Sequence, residues 1–73
     1  MTVTVGQWVW FYSVTEGAPA RCQVLRGPSS DHFWYILWKY DDGAPIELCL
    51  EADDLFATPE DVMRDEAVKV LAR

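Results

Sequence analysis

The fold is decided by residues 33–51, which read FWYILWKYDDGAPIELCLE. Two apolar runs flank the cluster DDGAP, whose Asp, Gly and Pro are the residues that tight turns select. Both runs are rich in the aromatic and aliphatic side chains that are typical of buried strands. We therefore predict two adjacent antiparallel strands, from His32 to Tyr40 and from Pro45 to Glu51.

The same pattern extends towards the N-terminus. A first strand is predicted from about Val3 to Val14, with a bend or bulge at Gly6, and a second from Ala20 to Arg26. Clusters of Gly, Pro, Asp and Ser separate these strands from their neighbours. Short strands at this spacing are typical of an antiparallel meander, so we predict a mainly β fold of four to five strands.

The C-terminal segment has a helical pattern. Thr58 supplies an N-cap hydroxyl and Pro59 occupies the first helical position, with acids in the first turn. Apolar residues then recur at helical spacing, and they are Val62, Met63, Ala67, Val70 and Leu71. We predict an amphipathic α-helix over about residues 59–72, whose apolar stripe covers another part of the fold.

Composition and charge restrict the function. The 73 residues make one small domain, in which residues 1–57 form the β part and residues 58–73 the capped helix. Because 51% of the residues are hydrophobic, we do not expect disorder. Twelve acids against six bases give a net charge of -6, which disfavours direct binding to nucleic acid, since that needs a basic surface. The acidity belongs mainly to the β part, because residues 1–58 hold eight acids and three bases.

Targeting and redox signals indicate a cytoplasmic protein. The sequence has no apolar run of about 18 residues and no charged head followed by an apolar segment, so we expect neither a membrane partner nor secretion. Cys22 and Cys49 are too far apart for a CxxC motif, and two cysteines are few for a disulfide scaffold. We therefore predict two reduced thiols.

Motifs for catalysis are weak. His32 stands beside Asp31 at a predicted turn, but no Ser, Cys or metal ligand at a diagnostic spacing accompanies the pair. The acid pairs at 41–42 and 53–54 do not match the spacing of calcium-binding loops. We predict a protein that is not an enzyme and that has no cofactor and no metal site.

The aromatic residues exceed what one small core needs. Nine of the ten fall in two runs, namely Trp8, Trp10, Phe11, Tyr12, Phe33, Trp34, Tyr35, Trp38 and Tyr40. Strand alternation places apolar side chains on both faces of both strands, whereas a sheet with one solvated face alternates apolar with polar. One barrel interior cannot hold all four Trp at native packing density. The helix, a second copy of the chain or a partner must cover the rest.

Four segments together resemble a known family. They read VGQWVW at 5–10, ARCQVL at 20–25, WYILWKYDDG at 34–43 and LEADDL at 50–55. In this order they resemble Tudor-type domains, which are small SH3-like β-barrels with a one-turn helix near their end. The resemblance covers about residues 5–56 and leaves the C-terminal helix as an addition. It implies an SH3-like antiparallel barrel.

The resemblance also implies a binding site. Tudor-like domains bind methylated Lys or Arg in an aromatic cage with an acid at its rim. By this resemblance Tyr12, Trp38 and Tyr40 would be cage walls, and Asp41 or Asp42 the rim acid. At the start of the second strand, where such domains place a further aromatic, this chain has an alanine. The alternative role of the three aromatics is cross-strand packing beneath the helix.

Three functions remain open on the sequence alone. The first is a module that docks a protein partner, for example a basic peptide, through an exposed aromatic strip, because Trp and Tyr dominate binding hot spots. The second is an acidic DNA mimic of phage or plasmid origin that inhibits a nucleic-acid-binding protein. The third is a homo-oligomeric accessory protein whose aromatic faces pair. The candidate partner-binding residues are Trp8, Trp10, Tyr12, Trp34, Trp38, Tyr40, Asp41 and Asp42.

Overall fold

Four strands form one antiparallel sheet in the computed structural model of the protein, which describes residues 2–39 and 43–72. The strands are β1 (Trp8–Ser13), β2 (Ala18–Arg26), β3 (Phe33–Lys39) and β4 (Pro45–Glu51), and they lie side by side in the order β1-β2-β3-β4. A 3-10 turn (Ala52–Asp54) and the helix α1 (Pro59–Leu71) follow. The predicted mainly β fold with a C-terminal helix is confirmed.

Two strands begin later than the sequence pattern predicts, and both differences have a backbone cause. Gly6 has φ of +87° and lies in a turn in which the Gln7 N–H donates to the Thr4 carbonyl at 3.2 Å. The chain becomes extended only after this turn, so β1 begins at Trp8. His32 has φ of 67°, in the left-handed region, so β3 begins at Phe33.

The sheet is not closed into the predicted barrel. Phe56, which follows the 3-10 turn, makes one isolated bridge to Trp10, with two backbone hydrogen bonds of 2.8 Å. The helix cap begins at Thr58, so too few extended residues remain there to form a fifth strand. The described chain therefore returns to its first strand at one point, and β1 and β4 do not share a ladder.

The core lies on one face of the sheet, which we call the inner face. The register aligns Val9 with Cys22, Cys22 with Trp38, and Trp38 with Ile46, one residue from each strand. The Phe11 ring meets the Trp38 ring edge-on, with 5.3 Å between centroids and an angle of 85°. Each large apolar side chain that is fully buried here contributes roughly 1.5–3 kcal/mol.

A glycine makes room for one of the inner aromatics. Gly27 has φ of +136°, and a Cβ placed there would lie 2.9 Å from Cε3 of Trp34 and 3.1 Å from the carbonyl oxygen of Phe33. Only glycine fits this conformation and this approach. The Trp34 ring is thereby held against the loop that connects β2 and β3.

The helix begins as its sequence predicts. The Asp61 N–H donates to Oγ1 of Thr58 at 3.2 Å, and Pro59 occupies the first turn. α1 packs against β1 and β2, and Val62 is its buried residue. No helix in the described part of the chain is long and apolar enough to cross a membrane.

Candidate functional site

The predicted partner-binding residues lie on opposite faces of the sheet. Trp38 is 6% exposed, and Trp34 is half-buried against the same inner core. Trp8, Trp10 and Tyr12 alternate with the buried side chains of β1 and therefore lie on the other face, which we call the outer face. The five described residues do not form one strip.

The implied aromatic cage is not brought together by the described residues. Trp38 is turned into the core, whereas Tyr12 lies on the outer face near α1. The other cage candidates, Tyr40, Asp41 and Asp42, lie outside the residues that the structure describes. The edge-on contact of Trp38 with Phe11 agrees with the alternative role of cross-strand packing.

Two of the outer aromatics, Trp8 and Tyr35, lie beneath arginines of β2. The guanidinium of Arg21 lies 4.6 Å from the centre of the Trp8 ring, and that of Arg26 lies 4.2 Å from the centre of the Tyr35 ring. Arg26 also forms an ion pair with Glu47 on β4. Long cationic side chains cover apolar surface with their stems while the charge stays in water. This cover adds to the helix, second copy and partner that the sequence suggested.

The sequence contained a signal for the inner face of β3. In β4 the apolar residues Ile46, Leu48 and Leu50 alternate with Pro45, Glu47, Cys49 and Glu51. The register sets Trp34 opposite Leu50 and Trp38 opposite Ile46, so both Trp belong with the apolar face of β4. The pattern of the two strands taken together, unlike that of β3 alone, places these rings on the inner face.

The apolar stripe of α1 points away from the sheet. Apart from Val62, its members are exposed: the exposed fractions are 46% for Met63, 59% for Val70 and 86% for Leu71, and Ala67 is exposed as well. The prediction that this stripe covers another part of the fold therefore holds for Val62 and is wrong for the other four members.

Polar contacts accompany the buried Val62 on the sheet-facing side of α1. Nζ of Lys69 lies 3.0 Å from Asp65, 3.7 Å from Glu66 and 3.9 Å from Asp54. The first two carboxylates belong to α1 itself, and the third belongs to the 3-10 turn. The hydrogen bond to Asp65, with the charges of all three acids, raises the pKa of Lys69. This contact with the β part was not visible as a sequence pattern, because it joins residues distant in the chain.

A groove runs along the exposed stripe. It has a volume of about 470 Å³ and is lined by Tyr12, Met63, Glu66, Ala67, Val70 and Leu71. We call it the α1 groove. Its walls are mostly apolar, and the Tyr12 hydroxyl and the Glu66 carboxylate are the polar groups that its side chains bring. Its four apolar helical residues belong to the stripe that the sequence predicted to cover another part of the fold.

The charges beside the α1 groove are mainly negative. Lys69 is held by its three acids, and Arg64 pairs with Asp61 at 2.7 Å. Glu60 is exposed and has no ion pair among the described residues. Glu66 lines the groove itself. The bases of the described helix are thus already engaged, while carboxylates remain along the apolar stripe.

The two thiols have different environments. Cys22 is fully buried on the inner face, and this burial raises the pKa of its thiol to about 12. Cys49 is exposed, and both cysteines are free. A buried thiol with a raised pKa is a poor nucleophile, so Cys22 acts as a small apolar core residue.

The described residues do not assemble a metal centre. No group of three His, Cys, Asp or Glu within residues 2–39 and 43–72 could hold a metal ion. His32 and Asp31 are both exposed, at the turn before β3. The α1 groove is the candidate binding site that we consider, because its lining is exposed and mostly apolar.

No protein family, curated protein or solved structure matches this chain.

Proposed function

We propose that this protein is an interaction module that binds a protein partner through the α1 groove. The observation that carries the proposal is the exposure of Met63, Val70 and Leu71 on one side of α1. Scattered apolar residues on a surface are ordinary, but a contiguous apolar patch marks a contact site. Side chains at i, i+4, i+7 and i+8 of a helix form such a patch, because they lie on one face.

The exposed stripe is not needed to hold α1 in place. The N-cap at Thr58, the buried Val62 and the contacts of Lys69 with Asp54 and its helical neighbours already attach the helix. A partner that covers the stripe would remove its apolar side chains from water, which is favourable.

We also infer an SH3-like topology for the β part. The four-stranded meander, the 3-10 turn after β4 and the return of Phe56 to Trp10 support this inference. Recognition of methylated Lys or Arg is not part of the proposal, because Trp38 lies in the core. The proposed binding site is the α1 groove, which is formed mainly by the helix that follows the β part.

The geometry favours this function over the DNA mimic. A DNA mimic presents carboxylates as a substitute for phosphates, whereas one carboxylate, that of Glu66, is found among the residues that line the α1 groove. The largest uncovered feature of α1 is apolar instead. An apolar contact should also persist at high salt, where a complex of charges weakens.

Site-specific photo-crosslinking in the native host tests the proposal. A photoreactive phenylalanine analogue replaces Val70 in one variant and Val68 in the other. The two positions have similar exposures, 59% and 61%, but are two residues apart and so point to nearly opposite sides of α1. We expect a discrete crosslinked species from position 70 and none from position 68.

The crosslinked species also separates the kinds of partner. A product heavier than the 8.4 kDa chain by another protein's mass supports the proposal, and mass spectrometry identifies that protein. Equal crosslinking at both positions, or none at position 70, contradicts it. A product of twice the chain's mass would favour the homo-oligomer.

A further inference from the structure

We infer that the α1 groove receives a basic amphipathic segment of a partner protein, an inference that rests on the proposed function. The apolar stripe would meet the apolar side of that segment. Glu66, which lines the groove, and Glu60, which is exposed on the same helix, would meet its Lys or Arg side chains. Complementary charge at the border of an apolar contact sets the partner's identity and register.

The bases of α1 do not oppose this attraction. Arg64 is paired with Asp61. Lys69 shares its one positive charge among Asp54, Asp65 and Glu66, so this cluster keeps a net negative charge. The net charge of the whole chain is -6, which favours a cationic partner at longer range too. An acidic segment would meet repulsion from both sources.

A second copy of the chain is a poor occupant for three reasons. In a two-fold pair the same surface patch lies on both sides of the contact, so the two copies would bring two patches of net negative charge together. The copies would also each carry a net charge of -6. Moreover, a standard interface uses about 20–30 residues per side, whereas six described residues line the groove.

The shape of the groove suits one segment rather than a broad surface. Its apolar side chains follow the axis of α1, as Met63, Ala67 and Val70 show by their spacing. Peptide helices and short extended segments dock in this way, with a few apolar anchors supplying most of the affinity. Loss of one anchor should therefore weaken binding clearly.

Two synthetic peptides probe the inference directly. One is an amphipathic helix of about 14 residues made of Leu and Lys, about four turns long, and the other has the same pattern with Glu in place of Lys. Each carries a fluorescent label, and anisotropy is recorded against the full chain. We expect the Leu/Lys peptide to bind, and the Leu/Glu peptide to bind at least about tenfold more weakly because of like-charge repulsion.

Matched variants show whether binding occurs in the groove. We expect Val70→Ser to weaken binding of the Leu/Lys peptide roughly tenfold, from the loss of one buried apolar contact. Val68→Ser, with the same chemistry and a similar exposure on the opposite side, should leave it unchanged. Equal effects of the two variants would mean that the peptide does not use the groove, and would overturn the inference.

A second pair of variants isolates the rim charges. Glu60→Gln with Glu66→Gln removes one negative charge that lines the groove and a second that is exposed on the same helix, and should weaken binding of the Leu/Lys peptide several-fold. Asp31→Asn with Glu51→Gln removes the same charge from exposed positions that do not line the groove, and should have less effect. Equal effects would indicate only general attraction to an acidic protein, which contradicts a specific basic partner.

The outcomes distinguish this inference from the proposed function. If both peptides bind alike, or neither binds while position 70 still crosslinks to a protein, the partner's basic character is refuted and the interaction module stands. If neither peptide binds and position 70 gives no crosslink, both proposals fail. Light scattering that shows a dimer, lost in Val70→Ser and kept in Val68→Ser, would make a second copy the occupant and overturn the inference.

Discussion

The outer face of the sheet and the outward side of α1 both carry large apolar side chains, but they differ in what covers them. On the sheet, Arg21 lies over Trp8 and Arg26 over Tyr35. On the helix, nothing in the described part of the chain covers Val70 or Leu71, which are 59% and 86% exposed. Because Trp8 is still 53% exposed beneath Arg21, the two surfaces differ in the neighbours of their apolar side chains rather than in exposure alone.

The largest expected effect on stability is the difference between replacing a Trp of the inner face and replacing a Trp of the outer face. Trp38→Ala should lower the free energy of unfolding by about 3–5 kcal/mol, because it leaves a cavity beside Phe11 in the core. Trp8→Ala, at a residue that is 53% exposed, should cost much less. Urea unfolding of both variants gives the comparison. Similar losses for the two would mean that the assignment of inner and outer faces is incorrect.

The next effect contrasts a buried with an exposed thiol at alkaline pH. Burial raises the pKa of Cys22 from its ordinary 9.0 to about 12. Between these pH values the unfolded chain loses the thiol proton while the folded chain keeps it, so rising pH favours unfolding. The stability that the protonated thiol contributes is thus complete below pH 9 and is lost towards pH 12.

The matched cysteine variants test this contrast. We expect Cys22→Ala to remove a decline of up to about 1.4 kcal/mol per pH unit from the alkaline stability profile. Cys49→Ala should keep the decline, because that thiol is exposed in the folded chain. Urea unfolding at several pH values above 8 measures the slopes. The same slope in both variants would show that Cys22 is accessible to solvent.

Local signals in the sequence predict one part of the structure, and contacts between distant segments determine the rest. The bounds of β4 and the start of α1 were predicted correctly, because turn residues, the Thr58 cap and Pro59 are local signals. The inward face of β3 was not predictable from β3 alone, since a period of two cannot select a face when both are apolar. The contact of Lys69 with Asp54 joins distant segments, so no local pattern predicts it.

A smaller effect on stability is expected from the contact between Arg21 and Trp8 on the outer face of the sheet. In a double-mutant cycle, Arg21→Ala and Trp8→Ala should show a coupling of about 0.5–1 kcal/mol, as expected for a cation–π contact at an exposed site. Arg26 stacks on Tyr35 instead, so Arg26→Ala should be additive with Trp8→Ala within about 0.5 kcal/mol. Equal coupling in the two cycles would show that Arg21 does not cover Trp8 specifically.

The smallest effect on stability is expected at the centre of the proposed contact. Val70→Ser should change the free energy of unfolding by less than about 0.5 kcal/mol, as should Val68→Ser, because both side chains already face water and Ser and Val have similar helix propensities. Val62→Ala, at the buried position of the same helix, should cost clearly more. If Val70→Ser destabilised the chain as much as Val62→Ala, the stripe would belong to the folded core and the α1 groove would lose its basis. A neutral result would instead mean that any loss of binding in Val70→Ser is a loss of contact with a partner, since the fold itself does not depend on that side chain.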